Sequence, residues 1–390
     1  MNASRVNAVG LLGGIVAGFM LAVLLGYQAA SYSKPSRFVR FHQWINPQSN
    51  FFPPFRMLEH LALDSWQPGR TVVLVAGNSI FNGVSQPADE IWTRRLQEIL
   101  GSDKYVVVNL SFAGAHATEA GMIVAESLFR RGVPFLLVCN TGARAPNAAI
   151  GGHYGYYYWE ARAQSALLPF ADRDADLKEM EAHLPAPEQR KQGELRRAAR
   201  LNSWFYFQEL WHHVGLQHFF TVWTSLIPRN SWGARDLMPD PELPPLPLEQ
   251  RFRTAVETEM VIVRSYSNAD TYPDKEGQWH LKPDIARNIS QRIEVSYPRK
   301  MRPHMLMVLS QNAPFFRSQL TAQERARDLA MFQESEIIWE KMGIACVISG
   351  LDFDDSDFSD RAHLTPTGGH KLAALVAAEL HKLHPESPAP

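Results

Sequence analysis

Apolar positions along the chain fall into two patterns. Residues 6–27 read VNAVGLLGGIVAGFMLAVLLGY without one charged side chain, and about 20 apolar residues rising 1.5 Å each match the thickness of a bilayer core. This predicts a membrane anchor over residues 1–30. The run is longer than the 7 to 15 or so apolar residues of a cleaved signal peptide, and the following QAASYS is only a loose cleavage site, which favours an uncleaved signal anchor. Arg5 precedes the run and Lys34, Arg37 and Arg40 follow it, so positive charge is divided between its ends; the amino terminus is taken as cytoplasmic. Gly10, Gly14, Gly18, Ala22 and Gly26 recur every fourth position and share one helix ridge. Glycine is common in membrane helices, so the ridge reflects either that tolerance or packing against an integral-membrane partner or a second copy of the chain.

Beyond the anchor, short β-branched runs at 71–76, 105–109, 135–139, 304–309 and 344–349 read as strands buried on both faces, hence parallel. Helical patterns lie between and after them, at 88–100, 118–131 and 321–342, the last opening on a Thr321/Glu324 capping box. This alternation predicts a three-layer α/β/α sandwich around a five-stranded parallel sheet. The third and fourth runs lie about 165 residues apart, far beyond the 10 to 12 or so that a βαβ crossover needs, which requires an insertion. The expected organisation is anchor 1–30, connector 31–70, first part of the sheet domain 71–145, mainly helical aromatic-rich insertion 146–300, second part 301–384 and tail 385–390. The insertion holds Trp159, Trp204, Trp211, Trp223, Trp232 and Trp279 and the segment GGHYGYYYWEAR at 151–162; its rings either build the insertion's own core or line a sugar or acyl pocket.

Charge and cysteine content narrow the function. With 39 Lys and Arg against 40 Asp and Glu, the net charge is −1, without the basic excess of a nucleic-acid binder. Cys139 and Cys346 are too few for a disulfide scaffold and are not spaced for zinc. No ligand pattern accompanies His153, His212, His213 and His218, and the acidic loop with Asp352, Asp354, Asp355 and Asp357 lacks the glycine and terminal glutamate of an EF-hand; no metal or other cofactor is expected.

The chemistry-bearing motifs lie at the two ends of the sheet domain. GNSIFNG at 77–83 delivers Ser79 from the carboxyl end of the first run, where open α/β sheets bind ligands. Near the carboxyl terminus, Asp360 and His363 stand three residues apart, ahead of a helix with Thr365 as cap and Pro366 in its first turn. A serine hydroxyl needs an adjacent base to attack a carbonyl, and the base needs a third group to fix its tautomer. Ser79, His363 and Asp360 supply those three roles.

In content and order these motifs resemble the SGNH/GDSL hydrolase superfamily over roughly residues 70–145 and 300–382. The resemblance implies Ser79 as nucleophile, with Asn78 where an aspartate is commoner. It implies Gly114 of NLSFAG (109–114) as an oxyanion-hole N–H beside that of Ser79, and Asp360 with His363 completing the triad. The third block departs from the family: the chain has VCNTGAR, and Asn140 is the best match for the oxyanion-hole amide. The resemblance also implies strand order 2-1-3-4-5, which separates Cys139 from Cys346 by a strand, roughly 10 Å and beyond disulfide reach. The activity implied is a membrane-anchored, extracytoplasmic serine acyl hydrolase or acyltransferase, its substrate a small-molecule or carbohydrate acyl ester. Tethered relatives similar in layout, such as the D-alanylation protein of teichoic acid synthesis, suggest envelope carbohydrate. The alternative is an inactive SGNH-like accessory or scaffold subunit of an integral-membrane complex.

Overall fold

The computed structural model describes residues 3–32, 37–38, 55–87, 89–112, 118, 120–142, 154–164, 182, 186–205 and 256–383. In chain order the strands are β1 Thr71–Ala76, β2 Tyr105–Asn109, β3 Phe135–Thr141, β4 Thr271–Pro273, β5 Trp279–Leu281, β6 Met305–Ser310 and β7 Ala345–Ser349. Five of them form one parallel sheet in the order β2-β1-β3-β6-β7, while β4 and β5 pair as a separate antiparallel hairpin. The described helices are α1 Ala3–Tyr32, α2 Phe55–Ser65, α3 Ser79–Asn82, α4 Trp92–Leu100, α5 Ala120–Arg130, α6 Tyr154–Gln164, α7 Ala186–Phe205, α8 Val256–Asp270, α9 Pro283–Ser296, α10 Pro314–Ser318, α11 Ala322–Lys341 and α12 Pro366–Leu383. The capping box of α11 is present, Thr321 and Glu324 each bonding the other's backbone.

The sheet strands read as apolar runs because helices cover both faces. Val72, Leu74, Val106, Val108, Leu137 and Met307 face a core closed by α2, α5, α9 and α11, with Trp339 fully buried in it. Their neighbours Val73, Val75, Val107, Leu136, Val138 and Val308 face a second core closed by α3, α4, α8 and α12.

Two expected boundaries change. Within the expected connector 31–70, α2 is part of the first core: Leu58 and Ala62 are fully buried, on the face that Phe55 and Leu61 share. Nor is the expected insertion 146–300 a separate body in its described parts. Met260 and Val263 of α8 pack on one face of the sheet, Ile289 and Ile293 of α9 on the other, and Tyr158 of α6 is fully buried in the first core. Trp159 and Trp279 carry the guanidinium groups of Arg196 and Arg327 at 5.1 and 4.1 Å. Trp211, Trp223 and Trp232 lie outside the described residues.

The β4–β5 hairpin is stapled to α11 by His280. Its Nδ1 lies 2.6 Å from Glu334 and its Nε2 3.1 Å from Asp274, while the Leu281 N–H donates to Glu334 at 2.8 Å. Hydrogen bonds to Glu334, then Asp274, raise the imidazole pKa. A raised folded-state pKa stabilises fully below the unfolded value of about 6.5 and the gain is lost as pH rises through the folded value. Comparing the Tm of His280→Gln with wild type between pH 5 and 9 should therefore show a gap that is widest at the acid end and closes with rising pH; a pH-independent gap would contradict a charged staple.

Among the described residues one helix, α1, is long and apolar enough to cross a membrane, through Ala8–Leu25. That segment is exposed, and beyond the helix's own adjacent backbone nothing described lies within 4 Å of where a Cβ would stand at Gly10, Gly14 or Gly18.

Candidate active site

β1 ends at Ala76, and two residues later the chain turns into the four-residue helix α3, whose first residue is Ser79. Asn78 caps it: its backbone is extended and its Oδ1 accepts the Ile80 N–H at 3.0 Å. Gly83 ends it in the left-handed region, φ 75°, where a side chain would be strained. Residues at and after the end of β2 hold this elbow in place. Asn82 Nδ2 donates to the Ser111 carbonyl at 2.8 Å, Asn109 Nδ2 to the Phe81 carbonyl at 3.3 Å, and the Phe112 N–H to the Gly77 carbonyl at 3.0 Å. From α4, Trp92 Nε1 also donates to the Phe81 carbonyl, at 2.7 Å.

Asp360 and His363 lie on a tight turn between β7 and α12. The N–H groups of Ala362 and His363 both donate to Asp360 Oδ1 at 2.8 Å, and the Ser359 N–H closes the turn on the His363 carbonyl at 2.8 Å. Thr365 caps α12 by accepting the Gly368 N–H at 3.3 Å. Gln86 ties this turn to the elbow, accepting the Trp92 N–H at 2.8 Å and donating to the Leu364 carbonyl at 3.4 Å. Arg361 braces the turn from the other side: its guanidinium pairs with Glu259 of α8 and bonds Asn312, and its carbonyl accepts the Ala313 N–H at 2.8 Å.

These supports bring the three residues into one chain of hydrogen bonds. His363 Nε2 is 2.7 Å from Ser79 Oγ, and His363 Nδ1 is 2.6 Å from Asp360 Oδ2. An ionised carboxylate only accepts, so Nδ1 carries the proton and Nε2 offers its lone pair to the serine hydroxyl. Burial of the Asp360 carboxyl works toward protonation, but the hydrogen bond and charge of His363 and the two backbone N–H groups outweigh it and hold its pKa at about 2. The stabilisation this brings is present above the unfolded value of about 3.9 and lost as pH falls through the folded value, so the orienting charge is in place at neutral pH. The arrangement can draw the Ser79 proton onto an imidazole whose resulting charge is already compensated.

Asn140, on the part of β3 beyond its expected end, sits beside the elbow and is 2% exposed. Its Oδ1 accepts the Asn78 N–H at 3.1 Å and its Nδ2 donates to Asn78 Oδ1 at 2.9 Å. A Cβ on Gly77 would stand 1.8 Å from Asn140 Oδ1, so only glycine lets the amide approach this closely. The Nδ2 group has two hydrogens, and the Ser79 N–H, as the first of a helix, has no intrahelical acceptor. Gly114 lies outside the described residues. Sequence reasoning missed Asn82, Ser111, Gln86 and Glu259; Asn109 and Ser111 stand in the NLSFAG motif, whereas Gln86 and Glu259 carry no local signal.

Cys139 and Cys346 are free and buried, each the register partner of Met307 on the strand between them. Burial pushes both thiols up, away from reactive thiolate. In the acidic loop, Asp354 and Asp357 already pair with Lys371. Among the described residues no group of three or more His, Cys, Asp or Glu could hold a metal ion; His153, His212, His213 and His218 lie outside them. No protein-family model matches the chain, and no curated protein matches it either.

Proposed function

We propose that the protein is a membrane-anchored, extracytoplasmic serine acyl hydrolase or acyltransferase of SGNH type, acting on O-acyl esters. The observation that carries this reading is the unbroken hydroxyl–imidazole–carboxylate chain between residues 284 positions apart in sequence. The order β2-β1-β3-β6-β7 and the position of Ser79 after the carboxyl end of β1 support it.

Ser79 Oγ attacks the ester carbonyl while His363 Nε2 takes its proton, and Asp360 stabilises the imidazolium. The N–H of Ser79, with Asn140 Nδ2 and Gly114, stabilises the oxyanion. Collapse of the tetrahedral intermediate breaks the ester C–O bond, and His363 returns the proton to the departing alkoxide. Water or an acceptor hydroxyl then attacks the acyl-serine by the same route in reverse, and Ser79 regains its proton. Water makes the protein an esterase and a carbohydrate hydroxyl makes it a transferase; envelope carbohydrate is the acceptor class the family resemblance suggests.

A fluorophosphonate probe tests the reading. Wild-type protein should be labelled, and Ser79→Ala, which lacks the hydroxyl, should not be. Unlabelled wild-type protein with an unchanged Tm would instead favour an accessory subunit that keeps the fold without the chemistry.

A further inference from the structure

The two described residues between α1 and α2, Arg37 and Phe38, are fastened to the sheet domain. The Arg37 carbonyl accepts the N–H of Asn109, the last residue of β2, at 2.9 Å, and its guanidinium donates to Gln97 of α4 at 3.1 Å. Phe38 packs against the second core, with Arg94 over its ring at 4.8 Å. Asn109 is also the residue whose side chain holds the Phe81 carbonyl of α3. The strap therefore grips the sheet at its carboxyl edge, one residue away from the helix that carries Ser79.

Arg37 follows the end of α1 at Tyr32 by five residues, which span at most about 18 Å fully extended. From Leu25, the end of the apolar window, to Tyr32 is about 10 Å of helix, enough to cross the 5 to 7 Å or so of headgroups. The Arg37 segment, β2 and β1 lie side by side at about 4.8 Å spacing, and Ser79 is three residues past the end of β1, within roughly 20 Å of Arg37. A domain of about 330 residues is roughly 50 Å across, so the attachment could have lain on its far side. It lies beside the nucleophile, and the tether is too short to let that edge swing far from the bilayer.

We infer that the site works at the bilayer face, and that its substrate is an acyl ester carried by a membrane-bound molecule and not one free in solution. This rests on the acyl-transfer reading above and on α1 crossing the membrane. The acyl group passes to Ser79 and onward by the steps already given, with the leaving alcohol staying in the membrane.

The test uses the full chain in phosphatidylcholine vesicles, with a variant carrying 20 Gly/Ser residues inserted between Ser33 and Lys34. For the distance arm, S79C takes a maleimide donor dye, the two native thiols being buried, and a headgroup-labelled lipid is the acceptor. Energy transfer should place the dye within about 40 Å of the surface, from the reaches above, and should fall in the extended variant; equal transfer from both would overturn the orientation. For the substrate arm, wild-type Ser79 is kept and a long-chain p-nitrophenyl ester confined to the vesicles is compared with p-nitrophenyl acetate in water. A fivefold longer tether should lower turnover of the vesicle-borne ester by about tenfold, following the −3/2 power of length, and leave the acetate unchanged. An unchanged ratio would overturn the substrate assignment. Transfer intact with neither ester consumed and no fluorophosphonate labelling would overturn the acyl-transfer reading, and the substrate with it, while the orientation stands.

Discussion

Replacing Asp360 by Asn is expected to slow fluorophosphonate labelling of Ser79 by about 10⁴-fold, the size of the effect on turnover when the carboxylate of such a triad becomes an amide. The local geometry shows why the effect is so large. Asp360 Oδ1 accepts two backbone N–H groups, from Ala362 and His363, so an asparagine must keep its oxygen there and turn its NH₂ toward His363 Nδ1. A donor facing Nδ1 forces the imidazole proton onto Nε2, 2.7 Å from the serine hydroxyl, and the base is lost without any change of shape. The second-order labelling rate reads the effect, and a Tm within a few degrees of wild type shows that the turn has survived. Labelling within tenfold of wild type would mean that His363 does not depend on Asp360 for its tautomer.

Gly77→Ala should cost both stability and reactivity. Its Cβ would fall 1.8 Å from Asn140 Oδ1 and 3.0 Å from Cγ, and the amide cannot swing aside freely because it is buried and bonded twice to Asn78. Overpacking of about 1 to 3 kcal/mol adds to two hydrogen bonds worth about 0.5 to 1.5 kcal/mol each, so urea denaturation should show a loss of about 2 to 6 kcal/mol. An elbow displaced by about 1 Å should slow labelling roughly 100-fold. Adding Asn140→Ala opens space for the methyl group, so the double variant should recover stability over Gly77→Ala alone while labelling stays slow. Recovery of both would show that Asn140 takes no part in the chemistry.

The strands were legible in the sequence because burial on both faces writes an uninterrupted apolar run, and the meeting of Ser79, Asp360 and His363 was legible because acyl chemistry, if it is run here, demands those side-chain types together. What escaped has a physical reason in each case. The α2 helix is only 11 residues long and lies in a Pro- and Phe-containing stretch, so its buried face of Phe55, Leu58, Leu61 and Ala62 was not separated from its surroundings. The helices α8 and α9 lay inside the long gap between the third and fourth runs, and nothing local marks where the chain rejoins the sheet. Asn140 was ambiguous because its use depends on β3 running two residues past its apolar run. Gln86 and Glu259 act on partners 278 and 102 positions away, and a polar residue that bonds at such range looks in sequence like any surface residue.

The distance in sequence between Ser79 and His363, 284 positions, also governs when the hydroxyl gains its imidazole partner. Loop closure over such a span comes late in folding, after local helices and neighbouring strands have formed. Until the turn carrying His363 has been synthesised and docked through Gln86, Ser79 is an ordinary alcohol with no base beside it. A chain emerging amino terminus first therefore carries Ser79 without its imidazole partner until the last part of the sheet domain has been made, and fragments that end before the turn lack the hydroxyl–imidazole–carboxylate chain altogether.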